Sequence, residues 1–212
     1  MDKNNFSEYA PYLKTACQKQ GLKVTEEQID LWLRYLSLLQ KWNNAFNLTA
    51  ITDPEQMVTH HILDSLSVEP WIDHDYIIDV GTGAGLPGIP LAIYFPEKHF
   101  TLLDSNGKKV RFVQQAAAEL GLTHVSAVHS RVENYHTPRG FDVMITRAVG
   151  TVKELIDSAS HLLHHGGKYL FMKGKYPKKE LQGLKNTYQV EPISVPGIHA
   201  ERHVVIVNSQ ME

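Results

Sequence analysis

The chain has 212 residues, of which 42% are hydrophobic and 21% are charged. This length is enough for one α/β domain with an extension, and the charged fraction is ordinary for a globular protein. The formal net charge of −2 argues against a protein that holds nucleic acid by a bulk basic excess, so any basic surface must be local. The single cysteine, Cys17, excludes an internal disulfide framework and is compatible with a reducing compartment.

Targeting and metal-binding signals are missing from the sequence. No apolar run approaches the length of a membrane span, and the first residues contain no apolar segment typical of a secretory signal. We therefore expect a cytoplasmic protein without a membrane partner or an obligate protein partner. The histidine pairs at 60–61 and 164–165 have neither cysteine partners nor a metal-binding frame, so no metal site is predicted.

Residues 1–74 are predicted to form a helical extension. The sequence TEEQ at 25–28 has the form of a capping box, which marks the start of a helix. Apolar residues then recur at helical spacing over 29–42. The pattern predicts an amphipathic helix that packs against the rest of the molecule.

A second helix is predicted over 54–68. Asp53 and Pro54 have the form of an N-cap followed by proline at the first helical position. His60 and Asp64 are four residues apart on this helix, so we expect the two side chains to meet on its surface.

Residues 75–212 change to an alternation of strands and helices. Strands are predicted at 77–80, 100–103, 125–128, 141–145, 169–172, 190–195 and 203–207. Helices are predicted at 108–121, 151–167 and 177–188, the first two of them closed by glycine. Such alternation is typical of a mostly parallel sheet covered by helices, and the short connection between the last two strands predicts a final antiparallel hairpin. The fold class is therefore α/β, a Rossmann-like seven-stranded sheet.

The loop after the first strand, DVGTGAGLPGIP at 79–90, predicts a nucleotide-like ligand. Its segment GAGLPG fits the dinucleotide fingerprint G-x-G-x-x-G, which suggests NAD. Asp79 argues otherwise, because a carboxylate repels a pyrophosphate but suits the ammonium and sulfonium of S-adenosylmethionine. Pro87 and Pro90 also remove N–H donors that a pyrophosphate would need. The pattern favours S-adenosylmethionine.

Asp104 ends the second strand, 19 residues after Gly85. A carboxylate there can accept hydrogen bonds from both hydroxyls of a ribose. Its alternative role is to cap the helix that follows.

Motifs that the sequence lacks reduce the number of chemical groups that are candidates for the methyl acceptor. Cys17 has no motif around it, so a covalent thiol mechanism on a pyrimidine is not indicated. The segment TRAVG at 146–150 stands where amine methyltransferases carry an Asn/Asp-Pro-Pro motif. Lys173 alone is not diagnostic of a base for hydroxyl methylation. A ring nitrogen such as guanine N7 needs no base, because it has no proton to lose, although the absence of a motif cannot name a substrate.

Several segments in order resemble the RsmG (GidB) family of bacterial methyltransferases that act on guanine N7 of 16S ribosomal RNA. They are NLTAI at 47–51, HILDSL at 61–66, DVGTGAGLPGIPLA at 79–92, LLDSNGKKVRF at 102–112, SRVE at 130–133, TRAV at 146–149, MKG at 172–174 and ERH at 201–203. The resemblance spans 47–207. It implies an S-adenosylmethionine-dependent methyltransferase with 16S ribosomal RNA as its partner, acting on the assembled small subunit.

The resemblance also implies which residues contact the cofactor. Gly81 and Leu86 match positions against the methionine and ribose, Val132 and Glu133 match the pair that flanks the adenine, and Arg147 matches an arginine at the cofactor pocket. The full predicted cofactor set is Asp79, Gly81, Gly83, Gly85, Leu86, Asp104, Val132, Glu133 and Arg147.

Arg147 is the candidate for a direct part in catalysis. Arginine normally binds guanine O6 and N7 together, which would block the attacking lone pair. We therefore expect Arg147 to face the cofactor, guanine O6 or a phosphate. The alternative is a structural ion pair with Asp142 or Glu133.

Ribosomal RNA contacts are predicted for basic residues near the carboxyl ends of the strands, because an unstacked loop guanine would have to be held there. The candidates are Lys108, Lys109, Arg111, Arg131, Lys173, Lys175 and Arg202. Lys178 and Lys179 are assigned to a solvated helix face. Two other functions stay open on the sequence: an NAD-binding oxidoreductase, and a non-catalytic RNA-binding protein that retains the fold.

Overall fold

The computed structural model describes residues 6–209, so the first five and last three residues of the predicted segments lie outside the described residues. Within 6–209, seven strands form one sheet in the order β3-β2-β1-β4-β5-β7-β6. The strands are β1 Tyr76–Val80, β2 His99–Asp104, β3 Val125–His129, β4 Phe141–Arg147, β5 Leu163–Lys173, β6 Tyr188–Pro192 and β7 His203–Asn208. The first five are parallel, and β7 runs antiparallel between β5 and β6. The predicted fold class is confirmed.

The helices largely follow the predicted order. They are α1 Ala10–Lys19, α2 Glu26–Phe46, α3 Pro54–Met57, α4 Asp64–Leu66, α5 Gly88–Tyr94, α6 Gly107–Glu119, α7 Val152–Ala159 and α8 Lys178–Leu181. Thr25 and Gln28 form the predicted capping box of α2, and Asp53 caps α3. A π-helix, Val58–Leu63, connects α3 to α4 where one continuous helix was predicted.

Two predicted helices are shorter in the structure. The helix predicted over 151–167 ends at Ala159, and residues 163–167 belong to β5. Pairing with β4, from Leu163 opposite Phe141, gives this segment ladder hydrogen bonds that outweigh its helical spacing. The helix predicted over 177–188 is reduced to α8.

The sheet is covered on both faces. Neighbouring strand residues such as Ile77 and Ile78 belong to different apolar clusters, because side chains alternate across a strand. One cluster joins the sheet to α1, α2, α5 and α6, and the other joins it to α7 and α8. The strands are therefore apolar in continuous runs, as expected for a parallel sheet.

Helix α2 holds the loop that follows β1. The buried Tyr35 hydroxyl donates to the carbonyl oxygen of Ala84 at 2.7 Å, and the Trp32 indole donates to that of Pro90 at 3.1 Å. The extension and the sheet share one apolar cluster, and the division of the chain at residue 74 stays a prediction. Over residues 6–209, no helix is both long enough and apolar enough to span a membrane.

Candidate functional site: a cofactor cleft and an adjoining cavity

The candidate site lies where the strand order reverses, between β1 and β4. Parallel strands that diverge at such a point leave a crevice at their carboxyl ends, which is where open α/β sheets bind ligands. The loops after β1, β2, β3 and β4 meet at this edge. The topology therefore brings together residues that are far apart in the chain.

The conformation of the glycine loop is stabilised mainly by hydrogen bonds that its backbone amides donate. Amides from Gly81 to Ile89 donate to protein oxygens: Gly81 and Thr82 to Leu103, Gly83 to Asp104, Gly85 and Leu86 to Thr82, Gly88 to Asp79, and Ile89 to Gly85. The loop therefore offers few free N–H groups to a pyrophosphate, the ligand that helix N-termini otherwise attract.

Asp79 stabilises the glycine loop by accepting hydrogen bonds from two of its residues. Its Oδ2 accepts hydrogen bonds from the Thr82 hydroxyl at 2.6 Å and from the Gly88 amide at 2.8 Å. The side chain is fully buried, which raises its pKa to about 6. Its Oδ1 has no hydrogen-bond partner within the described residues. Asp79 thus shapes the loop, and its predicted contact with the cofactor ammonium stays a prediction.

Gly81, Gly83 and Gly85 of the loop have positive φ angles, and the first two have different surroundings. A Cβ on Gly81, at φ +70°, would lie 2.4 Å from Cγ2 of Val149. A Cβ on Gly83, at φ +62°, would meet nothing closer than the carbonyl oxygen of Gly81 at 4.0 Å. The space above Gly83 is therefore open to a ligand, while Gly81 is required for packing.

The cleft beside this loop has two connected parts. One, of about 350 Å³, is lined by Leu48, Thr49, His61, Gly81, Thr82, Gly83, Ala84, Leu86, Asp104, Ser105, Lys109, Arg147, Ala148 and Val149. The other, of about 150 Å³, adds Ser130, Arg131, Val132 and Glu133 to residues of the β1, β2 and β4 ends. Together the two parts reach the lower range of small-molecule sites, about 300–1,000 Å³. Seven residues of the predicted cofactor set therefore line the cleft: Gly81, Gly83, Leu86, Asp104, Val132, Glu133 and Arg147. Gly85 does not line it but contributes to the conformation of the loop, because its amide donates to Thr82.

Asp104 connects the two parts of the cleft. Its Oδ2 accepts the Gly83 amide and its Oδ1 accepts the Asn106 amide, at 2.8 and 2.7 Å. Asn106, not Asp104, caps helix α6. Each carboxylate oxygen can accept more than one hydrogen bond, so Asp104 keeps capacity for ribose hydroxyls.

A larger cavity, of about 530 Å³, adjoins the cleft. It is lined by Thr49, Ala50, Ile51, His60, His61, Asp64, Ser67, Arg147, Ala148, Met172, Lys173, Gly174, Ile193, Arg202 and His203. Within the described chain, Thr49, His61, Arg147 and Ala148 line both this cavity and the cleft. These four residues are called the shared wall below.

Arg147 on the shared wall is paired with Asp64. Its Nη1 donates to Oδ2 of Asp64 at 3.1 Å and to the carbonyl oxygen of His60 at 2.8 Å. The alternative, an ion pair with Asp142 or Glu133, is not formed within the described residues, and the expected orientation toward cofactor or substrate stays a prediction. Asp142 begins the strand that Arg147 ends, about 16 Å away at the strand rise, and Glu133 pairs with Arg131.

The predicted surface contact between His60 and Asp64 is wrong. Nδ1 of His60 bonds to the Thr59 hydroxyl and to the carbonyl oxygen of Gln56, while the buried carboxylate of Asp64 binds Arg147 and Arg202. The π-helix has a wider turn than an α-helix, so residues four apart no longer lie directly above each other.

His61 on the shared wall is buried and uncharged. Its Nε2 lies 3.1 Å from the hydroxyl of Thr49. Burial, with the nearby Arg147 charge, lowers the pKa of His61 to about 3. The protein therefore keeps a neutral imidazole between the cleft and the cavity.

The predicted RNA contacts separate into exposed and bonded residues. Lys108, Arg111, Arg131 and Lys175 are exposed, while Lys109 lines the cleft. Lys173 pairs with Glu180 at 2.8 Å, and Nε of Arg202 donates to Oδ1 of Asp64 at 2.9 Å. Lys173 and Arg202 thus form part of the cavity wall.

Sequence reasoning gave no role to Thr49, His61 or Asp64. All three stand in segments that carried the family resemblance, at 47–51 and 61–66. The available signal was a carboxylate, Asp64, placed among the apolar residues Ile62, Leu63 and Leu66 of the predicted helix.

The architecture and the cleft define the class of protein: the fold is that of S-adenosylmethionine-dependent methyltransferases. The structure is similar to a SAM-dependent methyltransferase from Aquifex aeolicus, with a TM-score of 0.57 and 14% identity over 77% of this chain and 97% of that one. It is also similar to the tRNA (m1A58) methyltransferase TrmI from Aquifex aeolicus, with a TM-score of 0.56 and 12% identity over 70% of this chain and 69% of that one. At these identities the likeness concerns the fold.

The family follows from the sequence matches. The family model GidB, described as rRNA small subunit methyltransferase G, matches residues 28–205. Proteins named ribosomal RNA small subunit methyltransferase G from Coxiella burnetii (strain RSA 331) and Legionella pneumophila (strain Philadelphia 1) are each 49% identical, over 93% and 85% of this chain and 97% and 86% of their own lengths. The chain belongs to the rRNA small subunit methyltransferase G (GidB) family, and the predicted resemblance is confirmed.

Proposed function

We propose that the protein transfers a methyl group from S-adenosylmethionine to N7 of a guanine in 16S ribosomal RNA, acting on the small ribosomal subunit in the cytoplasm. Membership of the rRNA small subunit methyltransferase G family supports the methyl transfer and the RNA substrate. The choice of N7 rests on one observation, the chemistry of the shared wall.

The shared wall offers no effective general base. Of its four residues, Arg147 is a cation bonded to Asp64, Thr49 is a hydroxyl, Ala148 is apolar, and His61 has a pKa of about 3. Methylation of a hydroxyl needs a group that removes its proton, and an amine must also lose a proton, which a positioned base accelerates. Guanine N7 has a lone pair and no proton, so alignment and electrostatics are sufficient for its methylation.

The cleft suits the cofactor in its shape and in its polar groups. S-adenosylmethionine supplies an electrophilic methyl group on a sulfonium centre. In this proposal Asp104 accepts the ribose hydroxyls, Val132 and Glu133 flank the adenine, and Gly81 and Leu86 lie against the methionine and ribose. The open space above Gly83 leaves the loop accessible to such a ligand.

The larger cavity takes the acceptor base. It shares Thr49, His61, Arg147 and Ala148 with the cleft, and in this proposal a base held there faces the methyl end of the bound cofactor across that shared wall. Guanine N7 is inaccessible in the narrow major groove of A-form RNA, so the target is an unstacked nucleotide. Arg147 contacts its O6 edge, which leaves N7 free to react.

An NAD-dependent oxidoreductase is less well supported. The glycine-loop amides donate to protein oxygens, and Asp79 lies directly behind the loop. A pyrophosphate would need those amides and would be repelled by that carboxylate.

Two measurements test the proposal. In calorimetry, S-adenosylhomocysteine should bind at micromolar concentration and NAD should not bind; the reverse result would establish the oxidoreductase. Purified protein, S-adenosylmethionine and small subunits from a strain lacking the gene should then yield N7-methylguanosine, mapped by chemical cleavage of 16S RNA. Wild-type levels of that nucleotide in the deletion strain would favour a non-catalytic RNA-binding role. Equal methylation of protein-free 16S RNA would exclude the assembled subunit as the required substrate.

A further inference from the structure

The larger cavity contains an acidic residue between two arginines. The Asp64 side chain is 7% exposed, and its two oxygens accept separate hydrogen bonds from Arg147 and Arg202. The two arginine side chains are 21% and 22% exposed. They come from different parts of the fold, the end of β4 and the loop before β7.

Such a cluster costs free energy to assemble. The free-energy cost of removing three charged groups from water is offset only if each group finds good hydrogen-bond partners. Buried ion pairs therefore often contribute little net stability. The cluster also does not neutralise itself, because two cations face one anion. It therefore leaves one positive charge at the cavity, and this charge is available to a ligand.

The arginines keep unused donors. Nη1 of Arg147 bonds to Asp64 and His60, while Arg202 uses Nε for Asp64 and Nη1 for the carbonyl oxygen of Glu201. A guanidinium has five N–H groups, so each arginine retains donors. Arg147 lines both the cavity and the cleft, and Arg202 lines the cavity without lining the cleft. Arg147 is thus nearer to the reacting end and Arg202 farther from it.

We propose that Asp64 is a positioning residue for the methyl acceptor: it orients Arg147 toward O6 of the base and Arg202 toward the phosphate of the same nucleotide. Asp64 acts through the arginines in this proposal, because its side chain is only 7% exposed and both its oxygens face them. This inference rests on the proposed function and adds the residue that organises the acceptor cavity.

Asp64→Asn tests the proposal. An amide has one acceptor oxygen, so it holds one arginine and presents N–H groups to the other. We expect kcat/KM on small subunits to fall at least 30-fold, with a reduced kcat at saturating subunits, while the Kd for S-adenosylhomocysteine changes less than threefold. Arg202→Gln removes the phosphate contact and the bond to Oδ1 of Asp64 but leaves the bond between Arg147 and Oδ2, so it should mainly raise KM.

A double variant separates positioning from simple charge balance. Asp64→Ala with Arg202→Gln removes one negative and one positive charge, so the net charge of the cluster is unchanged, but no acceptor at position 64 holds Arg147. We expect its kcat/KM to stay at least 30-fold low, with a kcat as reduced as that of Asp64→Asn. Asp142→Asn is the matched control. Asp142 pairs with His164 at the other end of β4, so its replacement should lower stability but keep kcat/KM within threefold.

Three results would overturn the inference: a double variant within threefold of wild-type activity, an Asp64→Asn enzyme equal to wild type, or a loss of cofactor binding as large as the loss of kcat/KM. If Asp64→Asn does not fold, the double variant alone decides. Failure of the proposed function looks different, because wild-type protein would then form no N7-methylguanosine.

Discussion

The amide of Gly83 donates a hydrogen bond to Oδ2 of Asp104 at 2.8 Å, which joins the glycine loop after β1 to the end of β2. The other oxygen of Asp104 accepts the amide of Asn106, the residue that caps α6. One carboxylate thus fixes two loops at the cleft. The proposed ribose site and the loop conformation therefore depend on the same side chain.

Asp104→Asn should weaken cofactor binding. The side-chain amide of asparagine has one acceptor oxygen, so it can accept the backbone N–H of Gly83 or that of Asn106. Its own N–H groups then face the other backbone N–H, which is unfavourable. We expect the Kd for S-adenosylhomocysteine, measured by calorimetry, to rise at least tenfold. Asp157→Asn, which changes an exposed residue of α7 paired with Lys153, is the control and should leave the Kd unchanged. A Kd within twofold of wild type for Asp104→Asn would refute the assignment.

Gly81→Ala should destabilise the fold more than Gly21→Ala. Both glycines have positive φ angles, +70° and +80°, which cost alanine about 1 kcal/mol. A Cβ on Gly21 meets open space, whereas on Gly81 it lies 2.4 Å from Val149. We expect about 2 kcal/mol of additional loss of unfolding free energy for Gly81→Ala in urea titrations, because the site is overpacked.

Val149→Ala tests whether the overlap between the alanine Cβ at position 81 and Cγ2 of Val149 causes the loss of stability. Combined with Gly81→Ala, it removes the Cγ2 atom and should restore part of the lost stability, but not the cost of the positive φ. Equal destabilisation of the Gly21 and Gly81 variants would show that packing at Val149 is not the cause.

His61 should make the protein less stable at acid pH. Its pKa is lowered from 6.5 to about 3 by burial, so between those values the unfolded chain binds a proton that the folded chain does not. The difference in unfolding free energy between wild type and His61→Gln should therefore fall by about 1.4 kcal/mol per pH unit as pH decreases below 6.5. Above 6.5 the difference should be constant. A difference independent of pH from 4 to 7 would contradict the buried neutral state.

Asp79 should have the opposite dependence. Burial raises its pKa from 3.8 to about 6, so the folded chain holds the extra proton between these values, and this contribution to stability is lost as pH rises through 6. The difference between wild type and Asp79→Asn should fall with increasing pH over that window and level off above it. Between pH 3.8 and about 6 the two effects on the unfolding free energy have opposite signs and offset each other in wild type, so the variants are needed to separate them. A slope of the same sign in both variants would be inconsistent with these environments.

Binding to small subunits should depend on the exposed basic residues of α6. Lys108→Ala with Arg111→Ala removes two exposed charges near the cleft, so we expect about tenfold weaker binding at moderate salt and a shallower dependence of log K on log salt. The matched control is Lys178→Ala with Lys179→Ala, on the predicted solvated face of α8, which should stay within twofold. Equal effects of the two pairs would place the RNA elsewhere.

Local patterns predicted much of the fold. Apolar runs separated by helical spacing identified seven strands, and the runs are clearest in β1, β2 and β4, because these central parallel strands are buried on both faces. The capping box at Thr25 and the cap at Asp53 are formed as predicted, since these bonds involve residues three apart. The predicted end of α7 was wrong because the residues after Ala159 pair with β4 as part of β5. This pairing is a long-range interaction, so the local spacing of apolar residues does not show it.

The sequence by itself determined the proposed cofactor cleft, and the tertiary structure decided the proposed acceptor cavity. Gly81, Gly83, Asp104 and Glu133 follow successive strands, and the carboxyl ends of parallel strands meet at one edge, so their convergence follows from strand order. Asp64 is 83 residues from Arg147 and 138 from Arg202. Opposite charges in a sequence allow many pairings, and only the packing of the helical extension against the sheet selects this one.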